Sequence, residues 1–399
     1  MKNKPTPQLF VAVDIGSSGI RSMAATQNPN RTLHILGLEE TSKYGNVEKG
    51  IVTNTSEIGF AVKNQLKLLR NRIGTSDAII DEVFITIGGQ SLQMVVTNVK
   101  RDLITKSLIN PKIIDEMKDE CYRKIEMHYD KLKVLQAEPI SYILDGVAQT
   151  SAPTDQQRVQ KIEVYFSVFV CMKSATEGSK GVFDRCNISI RQQWAKPEAL
   201  VTALTNDDDS RNGCAIIDFG AQTTTLTLYK QDRYQLIRTI PLGGYNITRD
   251  LQSMNISFEL AEKLKVRFGI AQEKLVTNSM TLAIPSTSKD RDRELIRTDF
   301  LARAIEMRLF EILASIIKTI EEHADDISVI YVTGGGSKLK YLIDYLQSFT
   351  DIPVTFGSHA DWLETNADKR YYDPTYSCLI GTLVLACDYQ GQSLTQALM

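Results

Sequence analysis

No stretch of the chain comes near the ~18 consecutive apolar residues that a bilayer-crossing helix requires, so the sequence contains no candidate membrane span. Neither sign of charge is in excess. With 46 basic and 48 acidic side chains the formal charge is -2, too little to hold a polyanion, which excludes nucleic acid as the main partner. The six cysteines, at 121, 171, 186, 214, 378 and 387, form no Cys-x-x-Cys pair and have no histidine at zinc spacing. They are expected to be small buried thiols. The four histidines, His34, His128, His323 and His359, show no ligand spacing either, and are expected at the surface or at helix ends. The opening Met1-Lys2-Asn3-Lys4-Pro5 has no apolar leader, which points to a reducing cytoplasm. What remains is a globular composition, 43% apolar and 24% charged over 399 residues, long enough for two or more domains.

Within that length one pattern occurs twice. The apolar run Leu9-Phe10-Val11-Ala12-Val13 ends in Asp14-Ile15-Gly16-Ser17-Ser18-Gly19, after which Ile20, Ser22 and Ala24 resume alternation, the mark of a β-hairpin rather than a strand entering a helix. Cys214-Ala215-Ile216-Ile217 leads in the same way into Asp218-Phe219-Gly220-Ala221-Gln222-Thr223 and then the β-branched Thr224 to Leu228. Two related α/β halves, each opening with an Asp-x-Gly hairpin and facing a shared cleft, explain the echo.

Between the hairpins, 56–72 has helical periodicity, 83–99 is strand-like with a break at Gly88-Gly89, 111–129 is a polar helix and 162–172 a strand. These elements predict a small α+β subdomain over 83–172 inserted in the first half, with 149–158 as an exposed loop. In the second half, 246–268 reads as one helical stretch, 270–292 as polar and irregular, and 300–323 as a long amphipathic helix. A buried strand at 327–332 runs into Gly334-Gly335-Gly336 and a helix over 339–349. The acidic Asp207-Asp208-Asp209 is expected to be a solvated linker, and Tyr371 to Tyr376 a packed aromatic loop. The implied division is 1–82 with 173–207 and 372–399, the insertion 83–172, 208–240 with 306–371, and a small subdomain 241–305.

The repeated turns carry chemistry. Glycine lets backbone N–H groups approach phosphate oxygens, the hydroxyls of Ser17 and Ser18 can donate, and an aspartate can hold a metal-bound water. One such turn closes ordinary hairpins as readily as it binds phosphate. Two facing each other could clamp a single triphosphate with Mg between Asp14 and Asp218, largely through water. Gly334 to Gly336, with Ser337, would leave bare backbone on which a base or ribose can lie, and Glu262 with Lys265, three apart on one helix face, could hold a sugar hydroxyl. A surface ion pair would look the same in sequence.

This ordered set of motifs is similar to the actin, sugar kinase and Hsp70 ATPase superfamily. Within it the chain resembles the FtsA family of bacterial cell-division proteins, through Asp14 to Gly19, Gly45 to Gly50, Pro241 to Asp250, Ala261 to Gly269 and Val332 to Ser337, over nearly its whole length. The resemblance implies two actin-like (RNase H-like) halves around a nucleotide cleft, with the 83–172 insertion in place of actin's own subdomain. It implies ATP and Mg as ligands: Gly16, Ser17, Ser18 and Gly19 on phosphates, Asp14 and Asp218 facing the metal, and Gly220, Gln222, Thr223 and Thr224 closing from the other side. Gly243, Gly244, Asn246, Glu262, Lys265 and Gly334 to Ser337 would take the nucleoside. It further implies self-assembly into filaments, the tubulin-like FtsZ as partner near residues 241–305, and a place on the cytoplasmic face of the inner membrane at the division site through a C-terminal amphipathic helix.

Two departures accompany the likeness. In Trp194-Ala195-Lys196-Pro197 a lysine stands where a carboxylate would position an attacking water, so hydrolysis is expected to be slow or absent and ATP to act as a structural ligand. The end of the chain, Tyr389 to Met399, shows no basic amphipathic helix. A small-molecule kinase on the same fold would need a base beside the γ-phosphate, and a scaffold that has lost nucleotide binding would fit Ala221-Gln222 in the second turn.

Overall fold

The computed structural model describes residues 8–42, 45–74, 79–153 and 158–397, with side chains to Gln390. The extreme N-terminus, part of the 149–158 segment and Leu398-Met399 therefore lie outside the described residues. In chain order, β1 (Phe10–Gly16), β2 (Gly19–Gln27) and β3 (Leu33–Ser42) form a meander, followed by the two-residue strands β4 (Val47–Glu48) and β5 (Ile51–Val52), α1 (Thr55–Ile73) and β6 (Glu82–Ile87). Next come β7 (Gln93–Leu108), α2 (Pro111–His128), β8 (Leu132–Leu144), β9 (Val147–Gln149), β10 (Arg158–Met172), α3 (Lys173–Asp184), β11 (Ser189–Ala195), α4 (Lys196–Leu204) and α5 (Asp207–Asn212). The remainder is β12 (Cys214–Phe219), β13 (Thr224–Lys230), β14 (Arg233–Ile240), α6 (Gly244–Gln252), α7 (Phe258–Phe268), β15 (Thr281–Pro285), β16 (Arg293–Arg297), α8 (Thr298–Glu322), β17 (Val329–Thr333), α9 (Leu342–Gln347), β18 (Val354–Phe356) and α10 (Ser377–Ala397).

Two five-stranded sheets share one topology. The first runs β3-β2-β1-β6-β11 and the second β14-β13-β12-β17-β18, each an antiparallel meander continued by parallel strands. The repeat seen in the two hairpins thus extends through whole sheets. Both faces of β1 are covered, which is why it reads as an unbroken apolar run. Val11 and Val13 pack with Ile58, Val62 and Leu66 of α1, whereas Phe10 and Ala12 pack with Leu379 and Leu383 of α10. In β12, Ala215, Ile217 and Phe219 face the α8 core around Leu309 and Ile312, while Ile216 meets Leu200 of α4 and Cys378 of α10. Helices α4 and α10 form the layer between the two sheets. Helix α4 follows β11 directly, whereas α10 is reached from β18 through a longer segment of three 3-10 turns.

The inserted unit is a β7-β10-β8-β9 sheet with α2 on one face, Met117, Cys121 and Ile125 meeting Val164, Phe166 and Val168. It begins at β7: β6, expected inside the insertion, lies between β11 and β1 in the first sheet.

Several local expectations change. The 246–268 stretch is two helices, because Asn255 takes a left-handed φ of 59° and Ser257 caps α7 by accepting the N–H of Leu260. The region expected to be irregular holds β15, paired with β16 from Thr281 opposite Arg297 to Pro285 opposite Arg293. The helix expected over 339–349 shrinks to α9, since Tyr341 is left-handed at φ 63° and Gly335–Lys338 is a 3-10 turn. Asp207-Asp208-Asp209 is the first turn of α5, capped by Asn206, with Asp209 buried and accepting from the Tyr331 hydroxyl at 3.1 Å. All six cysteines are buried and free. His359, expected at the surface or a helix end, precedes the 3-10 turn Ala360–Trp362 but is buried, with Nδ1 3.0 Å from Ser377 Oγ and Nε2 2.6 Å from the Tyr371 carbonyl oxygen. Two polar partners make that burial tolerable.

Candidate functional site

The hairpin turns meet across a cavity of about 440 Å³. From the first half it is lined by Asp14, Ile15, Gly16, Ser17 and Ser18, and from the second by Asp218, Phe219, Gly220, Ala221, Gln222 and Thr223. Gly244, Glu262, Lys265 and Gly334 to Gly336 complete the wall. Residues two hundred positions apart are brought together because both turns hang from the same end of homologous strands.

The second turn is closed by Gly220 N–H donating to the Thr223 carbonyl at 2.9 Å, and it anchors the start of α6: Gly244 and Tyr245 N–H donate to the carbonyls of Gly220 and Ala221 at 2.9 and 2.7 Å. The N-terminal end of α6 therefore lies on the cavity, where its partial positive charge favours an anion. Glu262 and Lys265 are no surface pair. Lys265 Nζ is 2.7 Å from Glu262 Oε2 and also donates to Gly244 O at 2.9 Å and Thr248 Oγ1 at 2.8 Å. Burial pulls the Lys265 amine below its ordinary value, and Glu262 opposes that pull.

Of the three glycines, Gly334 has a left-handed φ of 84° and a Cβ there would fall 2.5 Å from Asp218 Oδ1; a Cβ at Gly336 would fall 2.7 Å from the Phe219 ring. Only a Cβ at Gly335 would meet open space.

Five expected site residues lie outside the wall, each for a local reason. Gly19 pairs with Ser42 across β2 and β3. Thr224 is buried and donates to the Leu242 carbonyl at 2.9 Å. Asn246 turns back to accept the Gly243 N–H at 2.9 Å, so both form the α6 cap. Ser337 is buried and donates to the Gly334 carbonyl at 2.7 Å.

Other wall residues were not among the expected site residues, although Lys196 stood out before Pro197. Arg21 sits opposite Asp14 in the β1–β2 register, 3.7 Å from its carboxylate, and Glu40 sits opposite Arg21 on β3, its Oε1 2.8 Å from Nε. A two-residue hairpin loop fixes those pairings, so counting back from Ser17-Ser18 would have found Arg21. Lys338 pairs with Asp373 at 2.6 Å, and Tyr376 donates to Glu40 at 2.9 Å. Lys196, the first residue of α4, reaches across the cleft floor to Asp218, Nζ 2.8 Å from Oδ2. Burial opposes its charge, but Asp218 and then Asp14 outweigh that and hold the ammonium above its ordinary value. Glu198, two positions on, caps α4 by accepting Ala195 N–H at 2.7 Å, and burial pushes its carboxyl up to about 8.

All four carboxylates on the wall are thus paired with a cation: Asp14 and Glu40 with Arg21, Asp218 with Lys196, Glu262 with Lys265. No group of three or more His, Cys, Asp or Glu suited to a metal occurs among the described residues. No helix among them is long and apolar enough to cross a membrane.

A family model described as "Cell division protein FtsA" matches residues 215–381. The Cell division protein FtsA of Neisseria meningitidis serogroup B is 24% identical, covering 96% of this chain and 92% of its own length. Among solved structures, the PilM-PilN type IV pilus biogenesis complex superposes with a TM-score of 0.67 at 16% identity, covering 94% of this chain and 97% of that one. MreB5 of Spiroplasma citri bound to ADP superposes at 0.57 and 12% identity, covering 96% and 98%. The two structures establish the fold, and the family model with the relatives shows that this chain is similar to FtsA cell-division proteins.

Proposed function

We propose that the chain binds ATP between its two halves and acts as an actin-like cell-division protein. The observation that carries this reading is the convergence of both Asp-x-Gly turns, the α6 N-terminus, the Glu262–Lys265 pair and the Gly334 to Gly336 turn on one cavity. Backbone N–H groups of the two turns would grip the phosphates, Gly335 would carry the base or ribose, and Lys265 with Glu262 would meet the sugar. An Mg ion beside those phosphates would have to share Asp14 with Arg21 and Asp218 with Lys196. The FtsA name of the relatives and the ADP of the MreB5 neighbour agree with a nucleotide-dependent role in division. On this reading the chain assembles with copies of itself, contacts FtsZ through a small subdomain over 241–305 and works on the cytoplasmic face of the membrane.

Hydrolysis is proposed to be slow. Lys196 occupies the position before Pro197 where a base would help, and each carboxylate on the wall is held by a cation, so none stands free to deprotonate water or an acceptor hydroxyl. The same pairing disfavours the kinase reading. The test is ATP binding by calorimetry followed by sedimentation with and without ATP, alone and with FtsZ. Stoichiometric binding with negligible turnover and ATP-dependent pelleting are expected; no binding, or phosphorylation of a small acceptor, would refute it.

A further inference from the structure

The cleft's charges bear on whether a metal belongs there. Its wall carries four carboxylates, Asp14, Glu40, Asp218 and Glu262, and four basic side chains, Arg21, Lys196, Lys265 and Lys338, so it is balanced before any ion enters. A magnesium ion is normally held through one or two carboxylates and phosphate oxygens. Here the two candidate carboxylates do not form a free pair. Asp14 has Arg21 at 3.7 Å, and Asp218 has the Lys196 ammonium at hydrogen-bond distance, 2.8 Å, where a metal-bound water would have to lie. The side chain is delivered by rigid parts: Lys196 starts α4 directly after β11, Pro197 fixes the first helical turn, and the bare Cα of Gly88 makes room for the lysine stem, a Cβ there falling 3.1 Å from Lys196 Cβ and Cδ. The residues present do not fit a metal held between Asp14 and Asp218.

We propose that Lys196 is a tethered cation standing in for the divalent ion, so that this cleft takes a metal-free nucleoside triphosphate about as well as its magnesium complex. The inference rests on the nucleotide reading above. A lysine ammonium is a compact charge on a flexible stem with three donors, so Nζ can keep Asp218 and still donate to a phosphate oxygen. It differs from a metal in one testable respect: it cannot be chelated.

The experiment measures ATP affinity of the full chain by calorimetry in excess Mg and in EDTA, for the parent protein, Lys196→Met and Lys196→Arg, with melting temperatures to establish that each variant is folded. The parent is expected to differ by less than about 3-fold between the two buffers. Lys196→Met should lose about 10-fold in EDTA, about 1.4 kcal/mol, and recover most of it in Mg, because Asp218, freed of its lysine, can then help hold the ion. Lys196→Arg, folded and still charged, should behave like the parent. A parent that requires Mg by 10-fold or more, or a Lys196→Met variant weakened equally in both buffers, overturns this inference and leaves the nucleotide reading standing. Absence of ATP binding by the folded parent in either buffer overturns both.

Discussion

Gly335 and Gly336 are neighbours in one 3-10 turn on the cavity wall, yet their Cα hydrogens point into very different surroundings. A methyl at Gly336 would lie 2.7 Å from Phe219 Cγ and 2.8 Å from Cδ1 and the carbonyl oxygen, and Phe219 is a core ring, 1% exposed, that has nowhere to move. Forcing an extra carbon into such a core costs about 1–3 kcal/mol. For Gly336→Ala the melting temperature should therefore fall by about 2–6 °C, at the shallow slope of a large chain. A methyl at Gly335 meets nothing within 4 Å, and the position is not left-handed, so Gly335→Ala should be neutral or slightly stabilising, up to about 1 kcal/mol from the smaller entropy of the unfolded chain. Its cost appears only when a ligand is present. Gly335→Val puts a branched side chain where the base or ribose is proposed to lie, and overpacking of the same size, now felt in the complex, lowers ATP affinity by about 5- to 150-fold. Scanning calorimetry and ATP titration on the three variants check this. Equal destabilisation by alanine at both positions, or parent-like ATP affinity in Gly335→Val, would refute the reasoning.

Two further outcomes follow from individual side chains. Burial raises the Glu198 carboxyl from its ordinary 4.5 to about 8, so its contribution to stability is complete below 4.5, where folded and unfolded forms are both neutral, and is lost as pH rises through 8. Glu198→Gln, which keeps an acceptor for Ala195 N–H, should melt with the parent at pH 4.5 and about 2–5 °C above it at pH 8.5; a pH-independent difference would contradict this. Gln222 bridges the halves, its Oε1 accepting Lys49 N–H at 2.7 Å, and no glycine could do so. Gln222→Gly should lower the exchange protection of the Lys49 amide by about 5-fold, the worth of about 1 kcal/mol of hydrogen bonding, as read by hydrogen-exchange mass spectrometry. Unchanged protection would show that the cleft does not depend on that tether.

What was legible in the sequence were features whose cause is local. Asp14 to Gly19 and Asp218 to Thr223 announce their turns by glycine placement and the alternation beyond them, and α8 by its apolar stripe from Leu301 to Ile320. The second sheet repeats the first for the same reason, since similar hairpins feed similar strands. Hidden features depend on partners far along the chain. Strand β15 lies in a stretch that reads as polar and irregular because its run is short and ends in Pro285, and it gains its strand form by pairing with β16. His359 looks like a surface residue until Ser377 and the Tyr371 carbonyl supply its hydrogen bonds. Lys196 was visible as an odd residue before a proline, but only packing shows that its ammonium ends on Asp218, in the other half. Among the expected site residues, those outside the cavity are caps and strand partners beside the turns: sequence located the loops, not which way each residue faces.

The pairing of every wall carboxylate shapes what mutation of this cleft can reveal. A phosphate chain entering between Arg21, Lys196 and the α6 N-terminus exchanges interactions with ones that already exist, because these cations are engaged by Asp14, Glu40 and Asp218 beforehand. Removing one ion-pair partner therefore alters the free cleft as well as the complex, and leaves a partly buried carboxylate unmatched, so the measured change in affinity understates or inverts the strength of the phosphate interaction that the cation made. Backbone amides of the turns are different. On the proposed reading they would reach a phosphate past glycines that carry no side chain, and a Cβ added at Gly335 meets nothing within 4 Å in the free protein. Substitutions at Gly335 thus report on the complex alone, whereas substitutions on the charges report on the difference between two balanced states; for the same reason the Lys196 effect has to be read as a change in metal dependence rather than as a change in affinity.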